Sequence, residues 1–156
     1  MREMTKVILS SKIPVAVYVS PSGSYAASAG AFIVYSAHIA SMAPGTNIGA
    51  ASPIPLGQDV PMPKDTPAPN SDNTPKGEAP PSQDTSSSTA QTKAIEDLTA
   101  YMRSLAELNN RNSKLGVEMI TKGSSFTAQE ALDQGIIDFI SSDINELLKQ
   151  LDGKTV

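Results

Sequence analysis

The sequence predicts an α/β fold, a parallel sheet with packing helices. Two short apolar runs of strand length, Val15-Ala16-Val17-Tyr18-Val19 and Ile39-Ala40-Ser41-Met42-Ala43, flank a small-residue stretch with helical character at about 28–37. A strand, helix, strand order of this kind favours a parallel pair joined by a right-handed crossover. The second half adds amphipathic helices and a further strand-length run, Ile136-Ile137-Asp138-Phe139-Ile140.

With 156 residues and 39% hydrophobic content the chain has material for one core of ordinary size, so a single domain is expected. There is no cysteine, which excludes disulfides, thiolate metal sites and cysteine nucleophiles. A net charge of −4 and a pI near 4.9 leave no basic stripe for nucleic acid. His38 is the lone histidine and the acidic residues are scattered, so a metal site is not expected. His38 itself reads as a satisfied or half-buried core residue.

From the start, Met4, Val7 and Ile8 recur at helical spacing among Arg2, Glu3, Lys6 and Lys12, as in the tail of an amphipathic helix. No long apolar core precedes a small-residue cleavage site, so this is not a secretory signal. An α/β domain usually opens on a strand. Opening on half a helix leads us to expect a fragment that lacks earlier strands.

Between Ile13 and Gln58 there is no Asp, Glu, Lys or Arg. Such a block is either buried or in a membrane. The best candidate span, Tyr25 to Met42, is broken by Gly30 and dotted with Ser28, Ser36, His38 and Ser41, which favours burial between layers. Pro44-Gly45 ends the second strand, and Thr46 to Ala50 is a loop or extended segment of small residues.

Within this block, Ser28 sits where a strand gives way to a helix. The first N–H groups of a helix have no partner and can receive a developing oxyanion, so this is a place to display a nucleophile. Ala26, Ala27, Ala29, Gly30 and Ala31 would let a substrate backbone approach closely. Close helix packing accounts for the same small residues equally well.

Ser52 to Gln91 holds nine of the twelve prolines and no aromatic residue, so most of it cannot bury enough surface to offset its chain entropy. We expect a proline-rich disordered loop at about 57–91. Order then resumes at Thr92, with Ile95, Leu98, Met102 and Leu105 forming an apolar stripe flanked by Tyr101 and Leu108. Lys93 would fall in the first turn of this helix. A lysine there opposes the macrodipole; it is either solvated at a frayed end or lowered in pKa and able to act as a general base.

Ser113 to Lys122 reads as a second short helix with Val117 and Ile120 inward, ended by Gly123. Thr127-Ala128-Gln129-Glu130 is a capping box, and Gly135 terminates the helix that it opens. Asp143 with Glu146 resembles a second box, ahead of Ile144, Leu147, Leu148 and Leu151.

Four stretches together now point to one family: Ala26-Ala27-Ser28-Ala29-Gly30, Met42 to Ala50, Lys93 with Tyr101-Met102-Arg103-Ser104-Leu105-Ala106, and Thr127 to Leu132 with Gly135-Ile136-Ile137-Asp138. In order and spacing the chain resembles the NfeD-like, membrane-associated serine peptidases, relatives of signal peptide peptidase SppA and of ClpP. The likeness covers most of the chain outside the proline-rich stretch. It implies a ClpP/crotonase-like fold and a Ser–Lys dyad, with Ser28 as nucleophile, Lys93 as general base and the backbone N–H of Ala29 as an oxyanion donor. It also implies that no metal or organic cofactor is needed.

By the same resemblance, the substrate is an apolar segment such as the C-terminal region of a stomatin-like membrane protein. Homo-oligomers are expected, and membrane association would come through segments outside this chain. The family carries an upstream glycine pair that supplies the other oxyanion donor, and this sequence begins after it. The expectation is therefore an N-terminally truncated peptidase domain. The alternative is a non-catalytic crotonase-like binding or oligomerisation module.

Overall fold

The structure, a computed structural model, describes residues 1–52 and 84–154. Its elements are α1 (Arg2–Leu9), β1 (Ala16–Val19), β2 (Tyr25–Ala27), α2 (Ala29–Ser36), β3 (Ile39–Met42), β4 (Asn47–Gly49) and α3 (Asp84–Leu108). There follow α4 (Ser113–Thr121), β5 (Ser125–Thr127), α5 (Ala128–Asp133), β6 (Phe139–Ile140) and α6 (Ile144–Leu151). One sheet, in the order β1-β3-β6, is parallel throughout, with Ala16 opposite Ile39, Val19 opposite Met42 and Met42 opposite Ile140. A smaller sheet pairs β2 with β4 in parallel and β4 with β5 antiparallel.

The charge-free block is buried from Ala31 to Ala43, apart from half-buried Ile33 and His38, whereas most of Ile13 to Gly30 is exposed or half-buried. All of β3 is buried, and α2 carries no polar face, with Ala31, Phe32, Val34 and Tyr35 excluded from solvent. A helix apolar on every side must lie between layers. Met102, Leu105 and Ala106 of α3 pack on it, and Leu115, Met119 and Ile120 of α4 close the core. The α3–α4 approach is tight. A Cβ at Gly116 would stand 2.8 Å from Met102 Cγ and 3.0 Å from Tyr35 Cε1, so only glycine lets α4 settle there. The Tyr35 hydroxyl donates to the Asn112 carbonyl at 3.0 Å, and burial pushes its pKa up, opposed by the nearby Arg111 charge.

Helix ends are closed by side chains that the sequence announces. Thr127 and Glu130 form the expected reciprocal box, the Thr127 N–H donating to Glu130 at 2.9 Å and the Glu130 N–H to Thr127 Oγ1 at 3.2 Å. Asp143 accepts from the Asn145 and Glu146 N–H groups at 2.7 and 2.9 Å. Glu146, however, reaches back to the Ser142 N–H at 2.7 Å, one residue short of a true box.

Arg111, which pattern reading gives no role, ties the layers together. Its side chain is 2% exposed. It donates to the Ile136 carbonyl at 3.0 Å, the Ala37 carbonyl at 3.1 Å and the Asp138 carboxylate at 2.9 Å. The same Asp138 oxygen accepts the Ala40 N–H at 2.7 Å, so one ion pair joins the α3–α4 corner to β3 and the β6 approach.

Several expectations change. The expected proline-rich stretch lies in part outside the described residues, but 84–91 is helix: α3 begins at Asp84, not near Thr92. Leu108 is 66% exposed and off the stripe, and Leu115 and Met119 face inward where Val117 is only half-buried. The last strand is two residues long, because Ile136 and Asp138 turn to meet Arg111 and Ala40 instead of continuing a ladder. A three-residue strand, β2, lies between β1 and α2, where the sequence shows no strand-length apolar run.

Arg111→Ala should cost about 3 kcal/mol in urea unfolding, because two buried carbonyls and a carboxylate lose their donor together. Asp138→Asn should cost less, since Asp138 is 41% exposed and an amide oxygen can still accept from Ala40. A second expectation concerns acid. The Thr127 N–H, then its hydroxyl, holds the Glu130 carboxyl below its ordinary range, and the Ser142 hydroxyl, then its N–H, does the same for Glu146. For depressed carboxyls the stabilisation is complete above the ordinary pKa of 4.5 and is lost as pH falls through the lower folded values. Melting temperature should therefore fall on the acid side less steeply in the Glu130→Gln, Glu146→Gln variant than in the parent; equal slopes would contradict this.

Candidate active site

The site is built on Gly49. Ala27 of β2 is paired with it in parallel register, and β5 crosses its other side. A Cβ at residue 49 would lie 2.2 Å from the Ser124 carbonyl oxygen and 2.6 Å from Ser125 Cα, at a φ of +144° that side chains rarely adopt. The Gly49 carbonyl accepts the N–H of Ser28 at 3.3 Å. Just beyond, the Ala50 N–H donates to Ser124 and the Ala51 N–H to Met119, both at 2.9 Å, which fixes the chain leaving β4.

Ser28 lies between β2 and α2 with no loop between them. The chain must turn from extended to helical in one residue, and it does so at φ +47°, ψ −111°, a conformation that costs a non-glycine residue on the order of 1–3 kcal/mol. Ser28 is the N-cap of α2, yet its hydroxyl makes no capping hydrogen bond. A serine normally uses that position to satisfy the helix; this one makes no side-chain hydrogen bond among the described residues. The N–H of Ala29 is among the first of α2 and has no intrahelical acceptor.

Both residues are exposed to a cleft of about 600 Å³, whose walls include Phe32, Ala50, Leu98 and Met1. Among the described residues no charged side chain lines it. Ala50, at φ +43°, is a second strained non-glycine residue on the same cleft. The Phe32 wall is braced from behind by Tyr101, stacked at 5.9 Å, and Tyr101 in turn carries the Arg2 guanidinium 4.4 Å above its ring and hydrogen-bonds to Thr5. Another cleft, of about 610 Å³, runs past Thr46, Asn47, Thr127 and Gln129 and has no ionisable side chain among the described residues that line it. The chemistry available there is poorer than at Ser28.

Lys93 is placed differently from the expectation. With α3 starting at Asp84, it lies more than two turns inside the helix, so the macrodipole argument for a lowered pKa does not apply. It is exposed, makes no hydrogen bond or ion pair with the described residues, and does not line the Ser28 cleft. Leu98, five positions further along α3, does. The fold therefore brings together Ser28 and the Ala29 N–H, and leaves Lys93 on the helix that forms one wall. His38 is half-buried and its Nδ1 accepts the Val15 N–H at 3.1 Å, a satisfied structural histidine. Among the described residues no cluster of acidic or histidine side chains could hold a metal, and no helix is long and apolar enough to cross a membrane.

No protein-family profile matches the chain. It is 41% identical over 153 residues to the membrane-bound protease PH1510 of Pyrococcus horikoshii, which covers 98% of this chain and 29% of that protein. Among solved structures, a serine-to-alanine variant of the 1510-N membrane-bound stomatin-specific protease superposes with a TM-score of 0.74 at 39% identity, over 98% of this chain and 62% of the other. A lysine-to-alanine variant of the same protease in complex with a substrate peptide gives 0.69 at 38%, over 97% and 63%. An enoyl-CoA hydratase from Thermoplasma volcanium, 15% identical with a TM-score of 0.52 over 96% of this chain and 43% of the other, shares the fold alone, which is thus ClpP/crotonase-like. The chain spans under a third of the curated relative and under two thirds of the solved ones, and it is a homologue of that part of these membrane-bound proteases.

Proposed function

We propose that the chain is a serine endopeptidase in which Ser28 attacks a peptide carbonyl and Lys93 is the general base. The observation that carries this reading is the strained, uncapped Ser28 held open to an apolar cleft at the start of α2. Related proteins bearing the same fold are named proteases, and the variants made in one of them replace a serine and a lysine. As the Ser28 Oγ–C bond forms, its proton passes to Lys93 Nζ and the carbonyl oxygen, now negative, takes the Ala29 N–H. Collapse breaks the C–N bond, with the Lys93 proton leaving on the amine. Water then attacks the ester, giving its proton to Lys93, and Ser28 departs reprotonated with the acid product.

Lys93 is exposed and off the cleft, so in this reading peptide binding must cover it and bring its long stem toward Ser28. The cleft walls of Phe32, Leu98 and Met1 suit an apolar segment, and the relative's specificity for a stomatin homologue suggests a stomatin-like membrane protein as its source. The chemistry requires no cofactor and the acidic surface does not suit nucleic acid. Membrane association would come through segments outside this chain, and the active form is a homo-oligomer. A second reading is favoured by the position of Lys93 off the cleft: a non-catalytic crotonase-like module that binds a partner without cutting it.

A pool of apolar peptides incubated with the purified chain and analysed by mass spectrometry separates the two. Endopeptidase action predicts cuts that disappear in Ser28→Ala and fall by at least about a hundredfold in Lys93→Ala, with both variants still folded by circular dichroism. Peptide binding without cuts, unchanged in Lys93→Ala, would establish the binding module instead.

A further inference from the structure

Among the described residues three other than glycine hold a positive φ: Ser28 at +47°, Ala50 at +43° and Asn110 at +53°. Asparagine enters this region readily because its short amide can bond to nearby backbone, so Asn110 calls for no further account. The other two stand on the same cleft. Ser28 brings a hydroxyl to it. Ala50 brings only a methyl group, and a glycine in its place would carry none of the strain.

That methyl has no part in holding the fold. Ala50 is exposed, between buried Gly49 and buried Ala51. The Gly49 carbonyl accepts the Ser28 N–H at 3.3 Å, the Ala50 N–H donates to the Ser124 carbonyl at 2.9 Å and the Ala51 N–H to the Met119 carbonyl at 2.9 Å. The left-handed turn at residue 50 is thus fixed through backbone atoms alone. A side chain kept where its absence would relieve strain points to a use outside the fold.

We propose that Ala50 is a specificity-determining residue of the Ser28 cleft, its methyl group setting the length of the apolar side chain admitted beside the scissile bond. The inference rests on the peptidase reading above and adds a selection by size to it. Ala50 follows directly on the carbonyl that holds the Ser28 N–H, so a peptide presented to Ser28 lies against it. Phe32, in the same wall, is 2% exposed and stacked on Tyr101, and cannot retreat to make room. One carbon more or less at residue 50 therefore changes the available space by about one methylene, a difference that apolar sites resolve about tenfold or better.

Acetyl-dialanyl-X nitroanilides test this, X being alanine, 2-aminobutyrate, norvaline or norleucine, each one methylene longer than the last. Binding is measured by calorimetry on the Ser28→Ala chain with and without Ala50→Gly, and cleavage as kcat/KM on the parent and Ala50→Gly chains. Ala50→Gly should move the best-bound and fastest-cut X one methylene up the series, changing the ratio between the two neighbours about tenfold. It should also raise the melting temperature by about 2–4 °C as the strain is relieved. An unmoved optimum, or a loss equal for every X, would overturn the proposal. So would a lower melting temperature, which would show that the methyl packs the fold. A shifted binding optimum with no cleavage by the parent would sustain the role of Ala50 and sink the peptidase reading; cleavage with an unmoved optimum would do the reverse. Neither binding nor cleavage of any member would overturn both.

Discussion

The absence of a side chain at residue 49 sets the geometry of everything around Ser28. Two backbones, β2 and β5, lie on either side of Gly49, and one is so close that a single carbon added there would overlap the Ser124 carbonyl. Because β4 can occupy that gap, its last carbonyl is aligned to take the Ser28 N–H, and the chain is held through an unfavourable backbone angle before entering α2. The strain is local, while the contacts that offset it are spread over three strands and the α4–β5 turn. Strain of this kind persists only where the surroundings over-determine it.

Around that point the rest of the fold acts as a frame. The buried Arg111 joins the α3–α4 corner to the parallel sheet through two carbonyls and Asp138, which fixes α3 relative to β3. Tyr101, further back on α3, stacks on Phe32 and anchors α1, so the apolar wall of the cleft is held from both the helix that bears it and the helix behind it. The apolar wall beside Ser28 and Ala29 is thereby held by rigid elements, while Lys93 remains on the exposed side of α3.

Much of this is legible in the sequence. The charge-free block between Ile13 and Gln58 announced burial, and its two apolar runs became the paired β1 and β3. The Thr127–Glu130 box formed as written because capping is a short-range interaction that involves few residues. What escaped reading depends on distant parts of the chain. The β2 strand is three residues of small side chains whose strand character comes from β4, and Arg111 looks like any surface cation until its three acceptors, from two other segments, are brought to it. The start of α3 is hidden in the sequence because Asp84 to Gln91 is rich in Ser and Thr, which are weak helix formers, so that Lys93 looks like a first-turn residue. The chemistry of Ser28 was suggested by its place between strand and helix; its left-handed backbone angle was not, since nothing local distinguishes it from an ordinary N-cap serine.

The proposed chemistry turns on one oxygen atom, Oγ of Ser28. If Ser28 is the nucleophile, turnover of an apolar peptide ester must pass through an ester on its Oγ. Rapid acid quenching of that reaction, followed by intact-mass measurement and peptide mapping, observes the intermediate directly. The account predicts a single acyl adduct on Ser28, absent in Ser28→Ala. Turnover with no adduct, or an adduct mapped to any other residue, would contradict it.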